Sequence, residues 1–300
     1  MCPDMGWNYT ATGVVCCRYS YIGGYIVKRV ENFLASFPFA EQTKDRYRRV
    51  LGQLIALDLE SLDAAALLRF IDRPEWGSSM RYVALSCCRK FIGWLYGAGH
   101  SALNARVKRI PTAPQPRLSK DQVLTLLRSF DLGSVAGLRD YAMVCTALDC
   151  NLRVTELCNV QIGNVRLDTC NLFALVKGGQ WVWKTFSPKT ASALSAWMDA
   201  RSPALGVGTL FVSFQLGNYG HPLTREGVQG IMKRWGKKVG FHISPHMFRR
   251  SYASLSTING APKNIVKVGG GWKTDEIVDH YIGDLAVELT RPYLPMQNLF

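Results

Sequence analysis

A histidine and an arginine three residues apart, His246-Met247-Phe248-Arg249, follow Pro245. Proline is tolerated in the first turn of a helix, so the pair reads as a helix start. At that spacing an imidazole and a guanidinium share one helix face and can converge on one small anion. Surface His/Arg pairs do the same, so the motif needs company. Arg153 stands in Cys150-Asn151-Leu152-Arg153-Val154-Thr155-Glu156-Leu157, where one helix ends and another begins. Glu156, one turn on, is placed to hold that guanidinium. Lys177 opens a Lys-Gly-Gly turn, from which a long amine can reach into a cleft. Trp272 follows Gly269 to Gly271, and its indole N–H can donate to a phosphate oxygen. Tyr281 comes nine residues later, beyond a short helical stretch from Thr274. Together these groups suit attack on a phosphodiester. Two guanidiniums can neutralise the extra charge of a pentacoordinate phosphorus with forked hydrogen bonds. A phenol of pKa near 10 is a poor nucleophile until a base takes its proton, and His246 is the candidate base or transition-state stabiliser.

The elements that must position these groups are mostly helical. Ile26, Val30, Phe33, Leu34 and Phe37 recur at helical spacing, and a second helix from about Thr43 turns Tyr47, Val50, Leu51, Leu54 and Ile55 inward. Leu62 to Ile71 reads as a third. Ser78 to Tyr96 reads as a fourth, with Ala84, Cys88, Phe91, Trp94 and Leu95 inward, stopped by Gly97-Ala98-Gly99. The stretch from Lys108, with three prolines and no apolar period, predicts an extended linker over 108–118. Ser119 then caps a helix with Gln122 as its reciprocal partner. Further helices are expected from Leu138 to Asp149 and from Val154. Strands are expected at Asn171 to Val176, Gln180 to Phe186 and Leu210 to Ser213, the first two joined as a hairpin. Trp94, Trp181 and Trp183 read as core or sheet packing. The expected organisation is a loosely ordered leader at 1–22, a helical domain at 23–107, the linker, a helical domain with a small antiparallel sheet at 119–282, and a tail at 283–300.

Thirty-six Lys and Arg against 22 Asp and Glu leave a charge of +14. The excess is shared: 15 basic and 9 acidic residues lie before position 110, and 21 and 13 after it. Two basic halves fit a polyanion held between two domains better than a single basic tail would. The apolar runs fall short of a membrane span and residues 1–8 lack a secretory pattern, so a cytoplasmic protein with no membrane partner is expected. Nine cysteines, with no Cys-x-x-Cys spacing, read as small buried hydrophobes rather than disulfides, and no metal site is expected.

Order and spacing together resemble the tyrosine recombinase (phage integrase) family over residues 25 to about 285. Arg139-Asp140-Tyr141-Ala142 with Asn151 to Leu157 looks like its first-arginine box, and Val176-Lys177-Gly178-Gly179 like its hairpin lysine. Ser244 to Arg249 matches its His-x-x-Arg box, Gly270-Gly271-Trp272 its Gly-His/Trp position, and His280-Tyr281 its nucleophile. The helical first half, with Phe91, Trp94, Gly97 and Gly99, is similar to its core-binding domain. Trp272 in place of the usual His makes the Cre-like branch the nearer likeness, and Arg250 replaces a frequent His.

The resemblance implies catalytic roles for Arg153, Lys177, His246, Arg249, Trp272 and Tyr281, with Glu156 in support. It gives Lys177 the proton for the 5′-oxygen; Lys184 is a rival for that role. A phosphotyrosine keeps the bond energy, so resealing needs no cofactor, neither ATP nor metal. The implied partners are double-stranded DNA carrying a specific recombination site and a homo-tetramer on two duplexes, in a prokaryote or virus-infected host. Lys44, Arg46, Arg48, Arg49, Arg81, Arg89 and Lys90 are candidate DNA contacts, although a solvated basic face explains each as well. Leu285, Val287, Leu289, Tyr293, Leu294, Met296, Leu299 and Phe300 make the tail too apolar to hang free, and the resemblance implies docking on a neighbouring subunit. A type IB topoisomerase shares the chemistry but acts as a monomer, and a silent DNA-binding protein shares the fold. The helical first domain and apolar tail favour the recombinase over the former, and the full residue set favours it over the latter.

Overall fold

A computed structural model of the chain describes residues 28–108, 116–201, 208–285 and 289. The leader and most of the tail lie outside them. The chain divides into two units, Met1–Pro111 and Thr112–Phe300.

The first unit is helical: α1 over residues 28–35, α2 Glu41–Leu54, α3 Ala64–Ile71 and α4 Ser78–Tyr96. Asp63 starts α3 by accepting from the Ala66 amide, and α4 ends where Gly97 takes φ 81°. The inward stripes of the four helices meet in one core around Phe33, Leu51, Leu54, Leu67, Phe91 and Ile92. Two expectations need correction. Helix α1 stops at residue 35, so Phe37 lies beyond it and is exposed, stacking on Phe39 instead. Trp94 is half out of the core, its ring against Phe33 and Phe91 but 38% exposed. Phe33 and Phe91 are themselves fully buried, so the indole packs on their outer side and keeps its far edge in solvent.

The second unit carries the sheet. Its elements are α5 Lys120–Ser129, α6 Val135–Cys150, α7 Val154–Cys158, β1 Val165–Arg166, β2 Asn171–Val176, β3 Gln180–Thr185, α8 Pro188–Ala200, α9 Arg225–Val239, α10 Pro245–Ile258, α11 Lys263–Gly270 and α12 Asp275–Ile282. The capping box of Ser119 and Gln122 starts α5. Helix α6 begins three residues before the expected Leu138 because Ser134 caps it. Its Arg139–Asp140 pair is buried: Arg139 donates to the Val212 carbonyl, and Asp140 accepts from Trp235 Nε1 at 2.8 Å. Those bonds pin α6 to α9 and to the loop between α8 and α9.

The sheet is antiparallel in the order β1-β2-β3. Its third strand is Val165–Arg166, not the expected Leu210 to Ser213. That segment is buried, but its neighbours on either side are loops, so it forms only isolated bridges, Gln161 to Thr209 and Val212 to Pro222. Trp197 Nε1 donates to the Leu210 carbonyl and holds the segment against α8. In the hairpin, Leu172, Ala174 and Lys184 face the core, while Phe173, Trp181 and Trp183 stack on the outer face. The two tryptophans thus pack on the sheet but stay largely exposed. Of the six described cysteines, all free, five are buried. No helix among the described residues is long and apolar enough to cross a membrane.

Gly137 gives a test of this packing. In the first turn of a helix, alanine ordinarily stabilises relative to glycine. Here a Cβ would overlap the Asp131 carbonyl. Gly137→Ala is expected to destabilise by more than about 1 kcal/mol, read by urea unfolding. A stabilised variant would contradict the close approach of that loop to α6.

Candidate active site

Helix α6 ends at Asn151, which takes the left-handed conformation, φ 50° and ψ 38°. Asparagine is one of the few side-chain-bearing residues that adopts it readily. The turn sends the chain into Arg153, the N-cap of α7. Glu156 then does what its spacing promised. One carboxylate oxygen accepts from the Arg153 amide at 2.8 Å, and the other from Arg153 Nη1 at 2.7 Å. The second oxygen also accepts from the Lys177 amide at 3.0 Å, which fastens the hairpin tip to the arginine. Burial alone would raise the Glu156 pKa, but the two amides and the guanidinium carry it below the usual carboxylate range.

Arg249 lies one turn into α10 and is buried. Its Nη1 donates to the Asn151 carbonyl and its Nη2 to the Gly270 carbonyl at 3.2 Å. Asn151 Nδ2 donates to the same Gly270 carbonyl at 3.2 Å. Burial first, then the charge of Arg153, pulls Arg249 down to about 10, still cationic at neutral pH. Among the described residues it makes no ion pair with a carboxylate. His246 shares its helix face. Burial and the charges of Arg250, Arg249, Arg225 and Arg153 hold the imidazole below the ordinary histidine range, so it is neutral and able to accept a proton at neutral pH. Arg250, whose effect the sequence left open, donates to the Pro116 carbonyl at 3.2 Å and repels a proton from His246.

The three glycines before Trp272 each have a steric reason. A Cβ at Gly269 would overlap the Tyr252 hydroxyl, and one at Gly270 the Trp272 ring, while Gly271 has φ 63°. The indole therefore folds back over the end of α11. Its ring lies 5.6 Å from the Arg249 guanidinium and 5.2 Å from the Tyr281 ring. Tyr281 is partly exposed, and it packs with Tyr252 and Ile282 around a small core of Ala253, Val266, Trp272 and Val278.

Arg153, His246, Arg249, Trp272 and Tyr281 are thus brought together by α7, α10 and the α11–α12 turn. The Lys177 amide joins them through Glu156, while its side chain is exposed at the tip. Lys184 is the buried amine: Nζ donates to the Gly269 carbonyl at 2.7 Å. Asn151 was not among the expected site residues, although an Asn at a helix end followed by a break signals this turn.

The candidate DNA contacts all sit in the first unit. Lys44 pairs with Glu41, and Arg48 with Glu31 and Asp45. Arg81 pairs with Asp72 and donates to the Trp76 and Arg73 carbonyls, a structural employment. Lys90 lies over the Phe39 ring, and Arg89 lines a small cavity with Tyr82 and Leu103. Arg46 and Arg49 are exposed.

Residues 116–286 match the family model described as the phage integrase family. Tyrosine recombinase XerC of Xanthomonas campestris is 30% identical over 291 residues, 90% of this chain and 85% of the relative. XerC of Xylella fastidiosa is 32% identical over 228 residues, covering 71% and 76%. Among solved structures, a lambda integrase dimer bound to a COC′ core site superposes with TM-score 0.67 at 17% identity over 86% of this chain and 94% of that one. XerH recombinase bound to a palindromic difH substrate does so with TM-score 0.66 at 16% identity over 84% and 80%.

The Asn151 turn separates two effects. Asn151→Gly keeps the backbone conformation and loses one hydrogen bond, about 1 kcal/mol. Asn151→Ala adds left-handed strain and should cost about 2 kcal/mol in all. Equal stability of the two variants in chemical denaturation would contradict the assigned turn.

Proposed function

The chain belongs to the phage integrase family of tyrosine recombinases, and from that premise we propose that it cuts and rejoins DNA at a specific site through a 3′-phosphotyrosyl link to Tyr281. The observation that carries this reading is the buried Arg249 guanidinium, held by two carbonyls and, among the described residues, by no carboxylate, beside Arg153, Trp272 and Tyr281. A cation so placed lacks an anion, and a phosphate supplies one.

In the proposed step the Tyr281 oxygen attacks phosphorus as its proton passes to His246, which is neutral at neutral pH. The new bond is Tyr281 Oη to phosphorus; the bond that breaks is phosphorus to the 5′-oxygen. Lys177 gives that oxygen its proton. Arg153 and Arg249 neutralise the non-bridging oxygens, with Glu156 holding Arg153 and Trp272 donating from its indole. A 5′-hydroxyl from a second duplex then attacks that phosphorus, giving its proton to Lys177; the phosphorus–Tyr281 Oη bond breaks, the phenol regains its proton from His246, and the strand is resealed.

The partner is double-stranded DNA, consistent with the net charge of +14. The XerH and lambda integrase structures, bound to a palindromic difH substrate and to a COC′ core site, support the same choice. The active assembly is a homo-tetramer on two duplexes in the cytoplasm of a prokaryote or virus-infected host; Leu285 is buried in its own subunit, and the tail beyond it docks on a neighbouring one. A monomer relaxing supercoiled DNA without sequence preference would instead indicate the topoisomerase reading.

A duplex bearing the protein's own site, selected from random sequence by binding, and nicked beside the cleavage position traps the intermediate. Wild type is expected to form a covalent adduct, and Tyr281→Phe to bind the duplex without forming one. An equal adduct yield from Tyr281→Phe would move the nucleophile elsewhere. The adduct rate should also fall on acidification, as His246 gains a proton below its ordinary range, and His246→Gln should lose that acid limb. An acid limb unchanged in His246→Gln would assign the titrating base to another group.

A further inference from the structure

Four carbonyls at the end of an α-helix have no partner within the helix. In α11 these belong to Lys267, Val268, Gly269 and Gly270. The Trp272 amide returns to the Lys267 carbonyl at 3.1 Å, and the Gly271 amide to that of Val268 at 2.9 Å, a Schellman closure with Gly271 in the left-handed region. The remaining two carbonyls are met by side chains from elsewhere in the unit. Gly270 accepts from Asn151 Nδ2 and Arg249 Nη2, and Gly269 accepts from Lys184 Nζ at 2.7 Å.

The Gly269 carbonyl is the hydrogen-bond acceptor that Lys184 Nζ meets. Lys184 stands on β3 opposite Leu172, on the face that a strand ordinarily fills with apolar groups. An amine there costs desolvation, and burial, then the nearby Arg249 charge, lowers its pKa. The cost is offset by the negative end of α11, where a cation is favoured. The consequence is mechanical. Trp272 is carried on the turn whose last helical carbonyls Lys184 and Arg249 grip, and the same turn gives Arg249 one of its two anchors.

We propose that Lys184 is a positioning residue for recombination: by capping α11 it fixes the Gly269–Trp272 turn, and through it the Trp272 indole and the Arg249 guanidinium. It does not deliver the leaving-group proton. This assignment rests on the recombinase reading for its catalytic consequence, but the capping itself can be measured without DNA.

Two measurements test it. In hydrogen exchange on the free protein, Lys184→Met should lose at least about tenfold protection at the Gly271 and Trp272 amides, whereas Lys177→Met should not. Lys184→Gln, which keeps a neutral donor, should recover part of that protection. Unchanged exchange in Lys184→Met overturns the cap, whatever the enzyme does. Adduct formation is then compared on two nicked duplexes, one normal and one with sulfur replacing the bridging 5′-oxygen, a leaving group that departs without a proton. Misplacing Trp272 and Arg249 should slow Lys184→Met roughly 100-fold on both, while Lys177→Met should recover on the sulfur substrate. Recovery of Lys184→Met on sulfur makes it the proton donor and overturns the proposal. Wild-type speed for Lys184→Met on both duplexes overturns the positioning role. Absence of any adduct with wild type would sink the recombinase reading separately, leaving the exchange result to decide the cap.

Discussion

Burying a guanidinium without a carboxylate is expensive, and the second unit is arranged around doing so. Arg249 is lodged between two carbonyls, those of Asn151 and Gly270, and burial, then the nearby Arg153 charge, depresses its affinity for its proton. The buried carboxylate of the site, Glu156, is already engaged by Arg153 and by the Lys177 amide. Carbonyl dipoles hold a cation but do not cancel its charge. The site therefore holds more positive charge than Glu156 cancels, which suits it to the phosphodiester of the proposed reaction.

That constraint explains local features which otherwise look unrelated. The left-handed Asn151 turns one carbonyl toward Arg249 and sends its own amide to Gly270. The three glycines let α11 stop abruptly, with its terminal carbonyls facing Arg249 and Lys184 and the indole folded over them. Tyr281 rides on α12, which contributes a single buried side chain, Val278, to a small satellite core. A nucleophile on an element with so few buried contacts can adjust against a site whose cations are fixed. In the proposed mechanism the rigid part binds the phosphate charge and the lightly held part attacks.

Much of this was legible in the sequence. His246 and Arg249 declared their shared face by spacing, Glu156 its partner Arg153, and Gly97, Ser119 and Pro245 their element ends. The helical class and the hairpin followed from periodicity. What the pattern could not give was which face of the hairpin looks inward. In Trp181-Val182-Trp183-Lys184 simple hydrophobic alternation would bury the tryptophans and expose the lysine, and the fold does the reverse. A two-residue period fixes which side chains share a face, not which face meets the core. Here Leu172 and Ala174 of the paired strand carry the buried face, and Lys184 shares it with its amine on the Gly269 carbonyl. The same limit misplaced the third strand: Leu210 to Ser213 has strand composition, but its neighbours are loops.

The account stands most directly on where the scissile phosphate sits, and a crystal structure of Tyr281→Phe bound to duplex carrying the selected site measures it. The expected result is one phosphate whose non-bridging oxygens accept hydrogen bonds from both Arg153 and Arg249, with the residue 281 ring against Trp272 on the side opposite the 5′-oxygen. A phosphate bound by neither guanidinium, with Arg249 still held only by its two carbonyls, would contradict it.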